Sequence, residues 1–190
     1  MTITGILLAA GTGSRFGANK LLHPLPDGTP IAIAALRTLK GALPDVIAVI
    51  RPVDGRLRAL LDDEQVAVHL CNDAHLGMAR SFVCGIEASR DADAWVIALA
   101  DMPFVQPRTI KSIAERVAQT GRIVIPAYLG QRGHPVGFGR RYLDELQKLI
   151  GDEGARSVIG RHPDDVELVE SDDSGILRDI DTQADLQRTS

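Results

Sequence analysis

The amino-acid sequence predicts a three-layer α/β fold built on a mostly parallel sheet with an antiparallel edge. Three observations carry that expectation. Short aliphatic runs recur through the first two-thirds of the chain, nearly continuous in Val, Ile, Leu and Ala, as in strands buried on both faces. Amphipathic stretches separate them at the spacing of right-handed βαβ crossovers. In the last third the rhythm breaks into shorter runs and turn-rich segments.

Residues 3–9 form the first predicted strand, and residues 46–50, 66–70 and 94–99 the next three. A helix over 30–40 has Pro30 in its first turn and Gly41 as its stop. A second, over 55–63, places Leu57, Leu60 and Leu61 on one face, and a third, over 78–89, groups Phe82, Gly85, Ile86 and Ser89. The helix over 107–119 carries Ile110, Ile113, Ala114 and Val117 on one stripe and stops at Gly121. Beyond it, strands over 123–126 and 134–138 flank a turn-rich segment, 128–133, which predicts the antiparallel or mixed edge. Helices over 140–149 and 153–160, a strand over 166–169 and a closing helix over 182–188, with Thr182 as N-cap, complete the expectation. With no internal repeat and no linker, one domain over residues 1–190 is expected.

Composition narrows the function classes. Aromatic residues make up 4% of the 190, and 21 Lys and Arg stand against 25 Asp and Glu, a net charge of −4. Neither a base-stacking platform nor a basic face that tracks phosphates follows, so nucleic acid is not an expected partner. Two isolated cysteines, Cys71 and Cys84, make neither a disulfide framework nor a zinc site. No apolar run reaches the 18 or more residues of a membrane span, and the N-terminus carries no basic segment of a signal peptide. A cytoplasmic chain with no membrane partner is the expectation.

The strongest local signal is Leu8-Ala9-Ala10-Gly11-Thr12-Gly13-Ser14-Arg15-Phe16-Gly17-Ala18-Asn19-Lys20, directly after the first strand. Ligands of open α/β sheets bind beyond the carboxyl ends of strands, and a glycine-rich loop there lets backbone amides approach an anion. Arg15 and Lys20 add two cations suited to a triphosphate. A dinucleotide fingerprint would need Gly where Phe16 stands, and a P-loop would need Gly-Lys-Ser/Thr, which is absent. Asp101, just past the fourth strand, should face the same crevice, and one such carboxylate suits Mg²⁺, which relies on phosphate oxygens and water for its other ligands. Asp179 and Asp181 offer a second carboxylate. For these two, metal coordination and stabilisation of the following helix dipole both stand open.

The segment LAAGTGSRFGANK resembles the signature loop of α/β nucleotidyltransferases, and within them the chain most resembles the molybdenum cofactor cytidylyltransferases of the MobA-like NTP transferase family. Further matches lie at Gly77-Met78-Ala79-Arg80-Ser81, Leu99-Ala100-Asp101-Met102-Pro103, Gly133-His134-Pro135-Val136, Gly151-Asp152-Glu153-Gly154-Ala155-Arg156 and Asp179-Ile180-Asp181-Thr182. The resemblance implies a Rossmann-like nucleotidyltransferase fold and transfer of CMP from CTP to the terminal phosphate of molybdopterin, with pyrophosphate leaving in line. It implies a nucleotide held by Leu8, Ala9, Ala10, Gly11, Thr12, Gly13, Arg15 and Lys20, and catalysis by Arg15, Lys20 and Asp101. Mg²⁺, or Mn²⁺ in its place, would sit on Asp101 and Asp181. Ala10 matches the cytidylyl branch, where the guanylyl branch carries glycine.

On the acceptor side the resemblance implies Gly77, Met78, Ser81, His134, Pro135 and Arg156. Met78 reads equally as core packing, and His134 equally as a turn residue. A molybdenum hydroxylase that receives the product is the implied macromolecular partner. Methylerythritol phosphate, a sugar phosphate, or a nucleotide-binding module without turnover are the competing readings.

Overall fold

The computed structural model describes residues 1–11, 16, 19–151 and 154–187. Within them lie β1 (Ile3–Leu8), α1 (Ile31–Ala42), β2 (Asp45–Ile50), α2 (Gly55–Asp63), β3 (Ala67–Leu70), α3 (Met78–Ala88), β4 (Ala94–Leu99) and α4 (Pro107–Thr120). There follow β5 (Ile123–Tyr128), β6 (Gln131–Arg132), β7 (Val136–Gly139), α5 (Leu143–Leu146), α6 (Arg156–Arg161), β8 (Val166–Glu170) and α7 (Gln183–Gln187). The first eight elements reproduce the predicted strands and helices to within about two residues.

The described strands form one eight-stranded sheet in the order β3-β2-β1-β4-β7-β5-β6, with β8 also paired to β5. The pairs β1·β2, β1·β4, β2·β3 and β5·β8 are parallel, whereas β7 runs antiparallel to both β4 and β5. The antiparallel portion expected of the last third is therefore present. Its position is between β4 and β5, with parallel β8 outside β5.

Alternation along the buried strands builds two cores. Leu7, Ala48, Ile50, Val96 and Val124 face α1, α2 and α4, meeting Leu36, Leu39, Leu57, Leu61, Ile113 and Val117. Ile6, Val49, Trp95, Ile97 and Phe138 face the other way, onto Phe82, Val83 and Ile86 of α3 and onto Leu146 and Val158. The helices thus cover both faces, giving three layers. Trp95 is fully buried, and its Nε1 donates to Ser89 O at 3.2 Å and Ser89 Oγ at 3.0 Å, so the polar edge of the ring is satisfied.

Helix ends follow the sequence grammar where the signal is local. Pro107 sits at the start of α4, and Gly121 ends it with a left-handed φ of 62°. The predicted helix over 140–149 is instead a 3-10 turn, Arg140–Tyr142, followed by the single-turn α5. Tertiary bonds override the periodicity here. The Arg140 amide donates to Asp93 O, and its guanidinium donates to the carbonyls of Arg90 and Ala92.

The β5–β6 turn is built on Leu129 and Gly130, with φ of 49° and 76°. A leucine at positive φ is sterically strained, and here its side chain is 83% exposed, so packing offsets none of that strain. Leu129→Asn, which tolerates the left-handed region, should stabilise the chain by about 0.5–1 kcal/mol and raise its melting temperature by about 2 °C. Thermal unfolding followed by circular dichroism measures this, and a lower melting point would show that Leu129 makes a contact that matters more than its strain.

Candidate active site

The chain order creates a switch point beside β1. From β1 it moves outward through α1 to β2 and β3, then crosses on the opposite face through α3 to β4, on the other side of β1. Crevices form outside the carboxyl ends of strands at such reversals. A cleft of about 390 Å³ lies at that place, bordered by Leu8 at the end of β1 and by Leu99 and Asp101 at and beyond the end of β4. Its volume falls in the range of small-molecule sites.

Eight of the sequence-predicted residues line this cleft: Leu8, Ala10, Gly11, Lys20, Gly77, Met78, Ser81 and Asp101. Ala9 does not: its side chain belongs to the core on the α1 side, because successive residues of a strand point to opposite faces. Thr12, Gly13 and Arg15 lie outside the described residues. Sequence reasoning missed Leu21, Ala74, His75 and Leu99, which also line the cleft. Leu99 could have been found from its place at a strand end. Ala74 and His75 lie in a 3-10 turn just before α3, for which the sequence carries no separate signal.

The centre of the site is an ion triad. Lys20 donates from Nζ to Asp101 Oδ2 at 2.8 Å and to Asp181 Oδ1 at 2.9 Å. Burial by itself would lower the pKa of this ammonium; the hydrogen bonds and charges of Asp101 and Asp181 outweigh that and hold it above the ordinary lysine value. The segment bearing Asp181 is pinned to β4 by Ile180 N, which donates to Asp101 O at 2.9 Å. From the other side, Asp185 accepts from the amides of Asp181 and Thr182 and from the Thr182 hydroxyl. Thr182 therefore meets α7 as a donor to the Asp185 carboxylate, which reaches back to the helix start as in a capping box. Asp179 stays above the usual carboxylate range through partial burial and the neighbouring charges of Asp181 and Asp101.

Among the described residues no group of three or more His, Cys, Asp or Glu side chains is placed to hold a metal ion. Two carboxylates converging on one cation still fit a hard divalent ion that completes its shell with phosphate oxygens and water.

The acceptor-side residues divide. Gly77 has φ 119° and ψ 168°, a conformation open in practice only to glycine, and it turns the chain sharply into α3. Met78, at the first turn of α3, is 53% exposed on the rim rather than part of the core. The Ala79 amide is already bonded to Gly151 O at 3.1 Å, so the α3 terminus is tied to Gly151. His134 and Pro135 border a separate small crevice beside Leu99 and Met102 and do not line the main cleft. His134 Nδ1 is buried with no hydrogen-bond partner among the described residues. Burial lowers the His134 pKa; the Asp101 charge opposes this and Arg156 adds to it, so the ring is neutral at pH 7. Arg156 begins α6, exposed and outside the cleft lining. Burial, with the Cys71 thiol beside it, pushes the Cys84 thiol up to about 12, so it is protonated at neutral pH.

The three layers, this strand order and the likeness to solved neighbours together give the Rossmann-like nucleotidyltransferase fold. A model described as the MobA-like NTP transferase domain matches residues 5–166, and the chain belongs to that family. It is similar to the purine catabolism protein PucB of Bacillus subtilis (strain 168), 31% identical over 191 residues that span 95% of this chain and 92% of the relative. Nicotine blue oxidoreductase of Paenarthrobacter nicotinovorans is 28% identical over 98% of this chain and 95% of its own length. The crystal structure of Rv0371c from Mycobacterium tuberculosis H37Rv superposes with a TM-score of 0.85 at 31% identity, covering 99% of this chain and 96% of that one. A second structure of Rv0371c is a complex with manganese. Among the described residues no helix is long and apolar enough to cross a membrane.

Proposed function

We propose that the chain transfers CMP from CTP to the terminal phosphate of molybdopterin and releases pyrophosphate, for delivery of the product to a molybdenum hydroxylase. The observation that carries this reading is the convergence of Lys20, Asp101 and Asp181 at the mouth of a cleft that also holds Ala10 and Gly11. The nucleophile is a phosphate oxygen, ionised at neutral pH, so the site needs no general base. The work left to the protein is positioning and charge neutralisation.

In this reading Leu8, Ala10 and Gly11 shape the nucleotide side, and Gly77, Met78 and Ser81 border the acceptor. Lys20 places an ammonium where the triphosphate charge arrives, with Arg15 as its expected companion from the glycine-rich loop. Asp101 and Asp181 hold the divalent ion, Mg²⁺ or Mn²⁺, and the manganese complex of Rv0371c supports a site of that kind. Such an ion supplies neutralisation of the reacting phosphates. His134 and Pro135 act behind Leu99, from the crevice next to the site, and Arg156 from the start of α6, outside the cleft lining.

Base choice turns on Ala10, whose methyl group borders the cleft and is 4% exposed. Offered each of the four NTPs with purified molybdenum cofactor, the protein should release pyrophosphate with CTP at least about tenfold faster than with GTP, and Ala10→Gly should narrow that gap. Equal use of GTP by the wild-type protein overturns the cytidylyl assignment. Methylerythritol phosphate and a sugar phosphate in the same assay decide the acceptor, and nucleotide binding without pyrophosphate release would favour a module without turnover.

A further inference from the structure

Lys20 and a divalent ion draw on the same two carboxylates. The ammonium lies 2.8 Å from Asp101 Oδ2 and 2.9 Å from Asp181 Oδ1, so each carboxylate is already committed to a charge-assisted hydrogen bond. The lysine side chain is 9% exposed, against 26% for Asp101 and 44% for Asp181. The ammonium is thus the inner member of the triad, lodged between the carboxylates rather than reaching in from solvent. An ion held by the same pair of carboxylates would stand close to the ammonium, and two cations at short range repel strongly in a partly desolvated site.

We propose that Lys20 is an exchangeable occupant of the cation position, holding Asp101 and Asp181 until a triphosphate offers its ammonium a new anionic partner. The inference rests on Asp101 and Asp181 being the metal-holding pair. Without nucleotide, an incoming ion must displace a buried ammonium that has no other carboxylate partner among the described residues. With nucleotide, phosphate oxygens replace the two carboxylates as acceptors, and the pair is released to the ion. Metal and nucleotide therefore strengthen each other's binding, as linkage requires, and metal alone binds weakly.

The test is Mn²⁺ binding without nucleotide, followed by loss of the free ion's paramagnetic resonance signal, together with melting temperature with and without Mn²⁺. Lys20→Met keeps the stem and removes the ammonium. Lys111→Gln removes one positive charge from the exposed face of α4, outside the cleft lining. Lys20→Met should bind Mn²⁺ at least about tenfold more tightly than wild type, with Lys111→Gln within about twofold of wild type.

The melting point of Lys20→Met should rise with Mn²⁺ far more than that of the wild-type protein; a variant that folds only with Mn²⁺ present gives the same answer. Equal or weaker binding by Lys20→Met overturns the proposal, and so does an equal gain in Lys111→Gln, which would reduce the effect to net charge. A failed metal titration beside normal CMP transfer sinks this inference alone. Absent CMP transfer beside the expected titration sinks the functional reading and leaves the exchange standing.

Discussion

Asp101→Asn should lower nucleotidyl transfer about a thousandfold and leave the chain folded. The substitution keeps the shape of the side chain and its capacity to accept a hydrogen bond, so only charge is removed. On the proposed reading charge is what the site needs there: Asp101 stands just past the end of β4, its backbone carbonyl ties down the Asp181 segment, and its carboxylate balances the Lys20 ammonium. Folding is protected because Lys20 retains Asp181, and because the Asp101 side chain is 26% exposed and so keeps access to water. Single-turnover release of pyrophosphate reads the rate, and far-ultraviolet circular dichroism reads the fold. A variant within tenfold of wild type would remove Asp101 from the machinery.

Asp173→Ala should cost about 3 kcal/mol of stability, a fall in melting temperature of roughly 6–12 °C. The residue is 1% exposed, and its carboxylate accepts from Gln106 N at 2.8 Å, Thr109 Oγ1 at 2.7 Å and Gly175 N at 2.9 Å. Alanine leaves all three donors without that acceptor in a place water reaches poorly, and the cost is that of stranded polar groups rather than of lost packing. Asp173→Asn keeps one acceptor oxygen and should recover about half of the loss. Denaturant unfolding of the three proteins checks the order. A loss below about 1 kcal/mol for the alanine variant would mean that water or a rearranged loop replaces the carboxylate.

This aspartate also marks the limit of what was legible in the chain. The first strand, the glycine-rich loop after it and the lone Asp101 after the fourth strand place the cleft by position alone, because strand ends of a parallel sheet gather on one side. Leu8, Ala10, Gly11 and Asp101 accordingly meet where they were expected. The start of α4 was legible in Pro107, but the partner that satisfies its donors was not. The helix has no capping side chain of its own, and its donors are met by Asp173, 67 residues ahead of Gln106. No window of neighbouring residues contains that partner. The position of β7 was hidden for the same reason: Val136–Gly139 reads as a short strand, but only its pairing with both β4 and β5 puts it inside the sheet. The Lys20 contacts were hidden too, since a lysine in an anion-binding loop reads as a ligand for phosphate and not as the partner of two acids.

Those contacts bear on how the chain acquires its chemistry. Lys20 and Asp181 stand 161 positions apart, whereas the β1·β2 and β1·β4 ladders that form the floor of the cleft are complete by Leu99. During synthesis, then, the floor exists in sequence long before its last acid has been translated. Until that acid docks, Lys20 has one carboxylate partner fewer and the proposed cation position lacks one of its two carboxylates. On the proposed reading, competence at this centre is a late event in the life of the polypeptide, and it reports that the segment carrying Asp181 has docked just past β4.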